Sequence, residues 1–177
     1  MRVIAGQWRG RRLQAPAGAA TRPTGDRVRG AVFSILGERV AGARVLDLFA
    51  GSGALGIEAL SRGAAEATFV DSAPAAIRAV TRNLKAVGAE ADVRRADARR
   101  FLSGASAAAR QYDLVFLDPP YRLAREMGGV LTTALPSVLA PGALVVAESD
   151  RRGPLELDLP LVDERRYGDT LIRIYGP

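Results

Sequence analysis

The sequence contains neither cysteine nor histidine, and these two absences exclude several kinds of chemistry. Without cysteine the chain cannot form disulfides, use a thiol nucleophile or build a thiolate zinc site. Without histidine it lacks the usual general base at neutral pH, and no side chain with an ordinary pKa titrates between about pH 6 and 8. We therefore expect chemistry based on carboxylates, aromatic rings and the backbone, without a metal.

Long hydrophobic runs are also missing. No apolar stretch reaches the roughly 20 residues of a membrane span, and the first ten residues lack the apolar core of a signal peptide. We expect a cytoplasmic protein without membrane attachment. The 177 residues suffice for one domain that buries about 70% of its unfolded surface, and we expect a monomer.

The most informative segment is Asp118-Pro119-Pro120-Tyr121, which follows the apolar run 112–117. A carboxylate and a carbonyl held by rigid prolines can accept the two N–H bonds of a planar amino group, and an aromatic ring can stack on the attached base. This arrangement suits methylation of a nucleobase nitrogen, which is a poor nucleophile and must be oriented. The alternative is that the two prolines only end a strand.

A second segment runs from a buried strand through a glycine-rich turn, Gly51-Ser52-Gly53, into a helix. With Gly56 and Asp71 it matches the dinucleotide fingerprint, so a nicotinamide dehydrogenase is one alternative. Asp47 argues against it, because a carboxylate there would repel a pyrophosphate. S-adenosylmethionine has no phosphate. Asp47 suits its ammonium, Asp71 its ribose and Asp97-Ala98 its adenine, although acids after strands are often helix caps.

The net charge of +6 is concentrated at the amino terminus. Residues 1–29 contain seven arginines and one acid, Asp26, whereas residues 30–177 contain 18 basic and 18 acidic residues. The only tryptophan, Trp8, lies among these arginines, a combination typical of contact with phosphates and unpaired bases. The alternative is a solvated arm or hairpin whose Trp8 packs on the domain. We expect residues 1–21 to form a basic arm or hairpin that supplies few core side chains.

The rest of the chain alternates between short apolar strands and helices. Strands are predicted near residues 44–49, 66–71, 91–95, 112–117 and 143–148, with helices near 55–62, 74–87, 97–104 and 124–139. A further helix is expected around 28–36, a short amino-terminal hairpin from 3–5 and 11–14, and a carboxyl-terminal antiparallel hairpin from 163–167 and 170–175. This pattern predicts an α/β, doubly wound, mostly parallel sheet in one domain, residues 22–177, with ligands at the carboxyl ends of the strands.

With these residues placed, the chain resembles class I S-adenosylmethionine-dependent methyltransferases, with seven strands and a Rossmann-like fold. It more closely resembles the RsmD family, bacterial enzymes that methylate a guanine N2 in 16S ribosomal RNA. The arginine-rich start and the block Arg22-Pro23-Thr24 carry this resemblance. It implies ribosomal RNA or an assembling small ribosomal subunit as partner. Gly25 and Gly30 depart from the family pattern, where a hydroxyl residue and an acid are common.

The resulting site predictions fall into three groups. Contacts to S-adenosylmethionine are expected from Asp47, Phe49, Gly51, Ser52, Gly53, Asp71, Asp97 and Ala98. Target-base contacts are expected from Asp118, Pro119, Pro120 and Tyr121. RNA contacts are expected from Arg2, Trp8, Arg9, Arg11, Arg12, Arg22 and Arg29. Two alternatives stay open beside the dehydrogenase: an adenine or cytosine N-methyltransferase acting on DNA or another RNA, and a non-catalytic RNA-binding ribosome assembly factor.

Overall fold

The computed structural model describes residues 1–17 and 25–176, apart from the side chains of residues 121–123 and 125. Arg22, Pro23 and Thr24 and the side chain of Tyr121 therefore lie outside the described residues. Within the described chain a seven-stranded sheet has the order β3-β2-β1-β4-β5-β7-β6. Its strands are β1 (Arg44–Asp47), β2 (Glu66–Asp71), β3 (Asp92–Arg95), β4 (Tyr112–Leu117), β5 (Leu139–Asp150), β6 (Leu161–Tyr167) and β7 (Thr170–Tyr175).

The first five strands are parallel, and β7 pairs antiparallel with both β5 and β6. Five α-helices accompany the described strands: α1 (Asp26–Leu36), α2 (Ala54–Ser61), α3 (Pro74–Val87), α4 (Ala98–Ala107) and α5 (Tyr121–Ala134). The predicted doubly wound sheet with a terminal antiparallel hairpin is confirmed. None of the described helices is both long and apolar enough to cross a membrane.

Two apolar clusters cover the sheet. The side chains of α1, α2 and α3 contribute to one cluster, and those of α4 and α5 to the other. Phe69 and Phe116 point from the strands into the first cluster, and Val115 and Leu117 point into the second. The alternation follows from the two-residue period of a strand, and burial on both faces explains why the strands read as continuous apolar runs.

The predicted helix 124–139 is wrong at its carboxyl end. The α-helix stops at Ala134, a 3-10 turn spans Leu135–Val138, and β5 begins at Leu139. Pro136 accounts for the early stop, because proline has no N–H group to donate to the carbonyl four residues earlier.

The predicted amino-terminal hairpin is present in minimal form. Arg2 and Arg12 form an antiparallel bridge, and the N–H of Val3 donates to the carbonyl of Arg11 at 2.9 Å. The segment contributes two side chains to the core: Val3 is 1% exposed and Leu13 is 5% exposed, and both belong to the first core cluster. Residues 1–14, called the arm below, are therefore part of the domain packing.

Candidate active site

Four predicted site residues lie at the carboxyl ends of the parallel strands, which form the side of the sheet called the active-site edge below. Asp47 ends β1 and Asp71 ends β2, while Asp118 directly follows β4 and Asp97 lies two residues after β3. The strand register places Asp47 opposite Phe116 and Asp71 opposite Arg95. Because all four strands are parallel, the four carboxylates lie along the same edge, where open sheets of this kind bind ligands.

The glycine-rich turn brings α2 close against the sheet. Gly51 and Gly53 have φ values of +54° and +78°, a backbone conformation that residues with a side chain rarely adopt. A Cβ atom at Gly56 would lie 2.3 Å from Cε1 of Phe69, so any larger residue would push the helix away from β2. The turn therefore presents its backbone at the edge of the sheet, as a cofactor loop requires. The cofactor contacts of Phe49, Ser52 and the glycines stay predictions.

Asp47 is the most unusual carboxylate at this edge. It is only 2% exposed; its Oδ2 accepts a hydrogen bond from Gly56 N at 3.0 Å, and its Oδ1 accepts none from the described residues. Burial raises the pKa of Asp47 to about 7, the charge of Asp71 adds to this effect, and the bond from Gly56 opposes it. A carboxylate in this environment would be stabilised by a cation.

Asp71 holds the glycine-rich turn in place. Its Oδ2 accepts a hydrogen bond from Gly51 N at 2.9 Å, and its Oδ1 accepts one from Ala73 N at 2.8 Å. Because each carboxylate oxygen has a second lone pair, both can still accept a hydroxyl group. Asp71 therefore positions the loop and is also available to a ligand.

Asp97 is a helix cap. Its Oδ1 accepts hydrogen bonds from Arg99 N at 2.9 Å and Arg100 N at 3.3 Å, so the capping alternative is observed. Its Oδ2 accepts no bond from the described residues and stays available at the end of β3. Ala98, the first residue of α4, is buried below the cap. The predicted adenine contact of these two residues stays a prediction.

The segment Asp118-Pro119-Pro120 connects β4 directly to α5. Asp118 is half-buried, Pro119 is buried and Pro120 is exposed at the amino-terminal end of α5. The fixed φ of both prolines limits the motion of the Pro119 carbonyl beside the Asp118 carboxylate. The target-base role of this segment stays a prediction.

The arm is bound to the helix that follows the glycine-rich turn. The N–H groups of Ile4 and Ala5 donate to the two carboxylate oxygens of Glu58, at 2.7 and 3.0 Å. Arg62 donates to the same carboxylate at 2.8 Å. Glu58 is fully buried, and these bonds compensate for its loss of hydration.

Trp8 lies at the far end of the same helix. The backbone N–H of Trp8 donates to Oγ of Ser61, the last residue of α2, at 3.1 Å. Since α2 begins beside the glycine-rich turn, Trp8 lies about 10 Å along the helix from the candidate cofactor loop. The side chain of Trp8 is half-buried and packs against the first core cluster, so the packing alternative is observed in part.

The arginines predicted to contact RNA differ in their surroundings. Arg9, Arg11 and Arg12 are exposed and form no ion pair with the described residues, whereas the exposed Arg2 lies 3.6 Å from Asp26. The prediction for Arg29 is contradicted, because its side chain is 0% exposed and donates to the carbonyl of Arg2 and to Asp26. It connects α1 to the arm and cannot reach a phosphate.

Asn83 and Glu58 were missed by sequence reasoning. Asn83 is 1% exposed, and its Nδ2 donates to the carbonyls of Gln14 and Ser52 at 2.9 and 2.8 Å. Its Oδ1 accepts from Gln14 N at 2.9 Å. A signal was present: Asn83 interrupts the apolar face of α3 beside Val80 and Leu84.

The family of the chain follows from comparison with known proteins. The family model described as Conserved hypothetical protein 95 matches residues 1–176. Ribosomal RNA small subunit methyltransferase D of Escherichia coli is 38% identical over 185 residues, which cover 99% of this chain and 89% of that protein. The chain belongs to this family. The resemblance to the RsmD family is thereby confirmed.

Solved structures agree with this assignment. The hypothetical protein TTHA0928 of Thermus thermophilus matches with a TM-score of 0.86 and 34% identity, over 100% of this chain and 99% of that one. The T. thermophilus 16S rRNA N2 methyltransferase RsmC, in complex with AdoMet and guanosine, has a TM-score of 0.71 and 20% identity. That match covers 90% of this chain and 44% of RsmC, and at such identity it shows the shared fold alone.

Proposed function

We propose that this RsmD-family member transfers a methyl group from S-adenosylmethionine to the exocyclic N2 of a guanine in small-subunit ribosomal RNA. The observation that carries the proposal is the placement of a buried carboxylate, Asp47, and the segment Asp118-Pro119-Pro120 at the carboxyl ends of the adjacent strands β1 and β4. The activity named for the E. coli relative supports ribosomal RNA as the substrate class.

The residues at the sheet edge fit S-adenosylmethionine better than a dinucleotide. The Oδ1 atom of Asp47 is available for the ammonium of the methionine moiety, and that pairing would stabilise the ionised carboxylate. Asp71 and Asp97 have free lone pairs for the ribose hydroxyls and the adenine amino group. A pyrophosphate in the same loop would meet the charges of Asp47 and Asp71, which argues against the dehydrogenase.

The bound cofactor supplies an electrophilic methyl group on a positively charged sulfur, and the remaining tasks belong to the protein. Asp118 and the Pro119 carbonyl each accept one N–H bond of the guanine amino group, which directs the nitrogen lone pair toward the methyl group. Tyr121 stacks on the ring and compensates in part for extracting the base from its stack. Asp118 acts as a hydrogen-bond acceptor, and the proton leaves to solvent after transfer.

In this proposal the basic arm and the domain 22–177 have different roles. The exposed arginines Arg9, Arg11 and Arg12 contact RNA phosphates and supply affinity, while the edge of the sheet supplies the chemistry. We place the protein in the cytoplasm, acting as a monomer on ribosomal RNA or on an assembling small subunit.

The test is product analysis with purified protein. A transcript of 16S ribosomal RNA is incubated with S-adenosylmethionine, and nucleosides are identified by mass spectrometry. N2-methylguanosine is the expected product, and ribosomal RNA from a deletion strain should lack one such residue. N6-methyladenosine, methylcytosine or methylation of DNA would support the alternative methyltransferases. A wild-type protein that binds RNA but produces no methylated nucleoside would support the assembly factor.

A further inference from the structure

Residues 30–177 contain equal numbers of basic and acidic residues, but the two kinds of charge are not evenly distributed. The segment 92–110, which comprises β3 and α4, contains five arginines and only two acids. β3 is one of the two edge strands of the sheet, so its outer side is not covered by another of the described strands. The segment 92–110 therefore carries a local excess of positive charge, although residues 30–177 as a whole are balanced.

A groove with a volume of about 350 Å³ lies between the end of β3 and α4. Its lining includes four arginines and one aromatic side chain: Arg94, Arg95, Arg100, Arg110 and Phe101. Small residues, among them Gly104 and Ala108, leave the groove open between these long side chains. Its composition is that of a surface for a polyanion with flat bases.

The four arginines differ in their ion pairs. Arg94 and Arg110 both bind Asp92, at 2.5 and 2.9 Å. Arg95 and Arg100 are exposed and have no carboxylate within 4.0 Å among the described residues. Arg95 is the last residue of β3 and Arg100 lies in the first turn of α4, so both are near Asp97 at the carboxyl end of the strand. The free positive charge is therefore at the end where a substrate would arrive.

We propose that this groove binds the phosphate backbone of the substrate RNA beside the methylated nucleotide, with Arg95 and Arg100 as the phosphate contacts. The proposal rests on the proposed function for the identity of the polyanion. From β3 to β4 there are three strand spacings, about 14 Å, or roughly four nucleotides at about 3.4 Å each. A strand with its target base at Asp118 can reach the groove within that length.

The arm and the groove would contact different parts of the RNA. The arm packs in the cluster of α1, α2 and α3, whereas α4 packs in the cluster on the other face of the sheet. RNA held at both places would span the active-site edge, which fixes the position of the target nucleotide better than one contact region can. A simpler alternative is that the arginines only prevent β3 from pairing with another sheet.

The experiment compares two double variants that remove equal charge, one from the groove between β3 and α4 and one from β6, the edge strand on the opposite side of the sheet. Arg95→Gln with Arg100→Gln changes the groove, and Arg165→Gln with Arg166→Gln changes β6, where both arginines are exposed but paired with Asp163 and Glu164. Binding of a 16S ribosomal RNA transcript is measured at several salt concentrations. Thermal unfolding and calorimetry with S-adenosylmethionine check that the fold and the cofactor site are intact.

The groove variant should bind RNA about tenfold more weakly at low salt, with a salt slope lower by roughly 1.5, because two phosphate contacts at about 0.7 to 0.9 each are lost. The β6 variant should stay within about twofold of wild type with an unchanged slope. Equal losses in both variants, or an unchanged slope in the groove variant, would overturn the proposal.

Methylation assays of the wild type and the groove variant distinguish a failure of the groove proposal from a failure of the proposed methyltransferase function. If the wild type produces N2-methylguanosine and the groove variant loses kcat/KM but regains the wild-type kcat at saturating RNA, both proposals stand. If the wild type produces none while the groove variant still loses salt-dependent binding, the proposed function fails and the groove is an RNA site for another purpose. If the variant methylates with wild-type kcat/KM, the groove proposal fails alone.

Discussion

Asn83 and Gln14 are joined by two hydrogen bonds, one in each direction, although they are 69 positions apart in the chain. The same Asn83 amide also donates to the carbonyl of Ser52 in the glycine-rich turn. One buried side chain thus connects the end of the arm, helix α3 and the candidate cofactor loop. The arm and the active-site edge are coupled by direct hydrogen bonds.

Removal of this connection should be costly. Asn83→Ala leaves the backbone groups of Gln14 and Ser52 without their partner, and we expect a loss of at least about 2 kcal/mol in the free energy of unfolding. Thr81→Ala on the same helix is the control, because Thr81 is exposed and, among the described residues, its hydroxyl bonds only to the carbonyl of Ile77 in its own helix. Urea unfolding measures both. If both variants lose a similarly small amount of unfolding free energy, water replaces the hydrogen bonds of Asn83 at little cost.

A glycine pair tests how firmly the arm is attached to α2. Gly6 and Gly10 both have positive φ, +81° and +83°, but a Cβ at Gly6 would lie 1.8 Å from the Ser61 carbonyl oxygen, whereas one at Gly10 would meet nothing within 4 Å. Gly10→Ala should cost about 1 kcal/mol for the backbone conformation alone. Gly6→Ala should cost clearly more, because the arm must move off α2. Equal losses in urea unfolding would contradict a fixed arm.

The high pKa of Asp47 predicts pH-dependent cofactor binding. Below about pH 7 most cofactor-free protein carries a neutral Asp47, and binding of the ammonium requires loss of that proton. Affinity for S-adenosylmethionine should therefore fall as the pH decreases from about 8 to 6, approaching tenfold per pH unit at the acidic end. The sequence-based expectation for this pH range concerned side chains with an ordinary pKa, and burial places Asp47 outside that group.

Asp47→Asn is the control for this measurement, because the cofactor's own ionisation is the same for both proteins. The variant should bind more weakly at about pH 8, by roughly 1.5 to 3 kcal/mol, the magnitude of a charge-assisted hydrogen bond. Its affinity should depend less on pH than that of the wild type. Calorimetry at several pH values measures both effects, and parallel pH profiles would remove Asp47 from the cofactor site.

Asp118 should affect the reaction and not cofactor binding. Asp118→Ala should bind S-adenosylmethionine within a few-fold of wild type, yet methylate roughly 100-fold more slowly at saturating cofactor and RNA, because an orienting contact acts on the transition state. Asp113→Ala is the control from the same strand. Asp113 pairs with Arg44 at the other end of β4, at 2.9 Å. Single-turnover rates distinguish the two, and near-normal turnover in Asp118→Ala would exclude the orienting role.

The sequence predicted the sheet edge well because local patterns determine it. Strand ends, the glycine-rich turn and helix α3 at residues 74–87 follow from apolar runs, glycines and Pro74. The burial of Arg29 could not be predicted, because an arginine among other arginines resembles a surface residue until Glu58 and the arm surround it. The anchoring of the arm was missed for the same reason, since backbone N–H groups that bind Glu58 leave no pattern in the sequence.

The arm must be tested by charge removal and not by truncation. Deletion of residues 1–15 would remove Val3 and Leu13 from the core and would expose Glu58, so a loss of activity would not distinguish folding from RNA contact. The full-length variant with Arg9, Arg11 and Arg12 replaced by glutamine keeps every packed residue. If the three arginines meet phosphates, the salt slope of RNA binding should fall by roughly 2 to 3, because about 0.7 to 0.9 is lost per contact.

The control for this triple variant removes three exposed arginines elsewhere, Arg39, Arg165 and Arg166. Methylation by the arm variant should suffer through RNA affinity, with a loss that shrinks as salt concentration rises and the remaining charges are screened. Unfolding free energy should stay close to wild type, because exposed side chains away from ion pairs contribute little. Parallel salt slopes for the arm variant and the wild type would show that the arm stabilises the domain and that the RNA surface lies elsewhere.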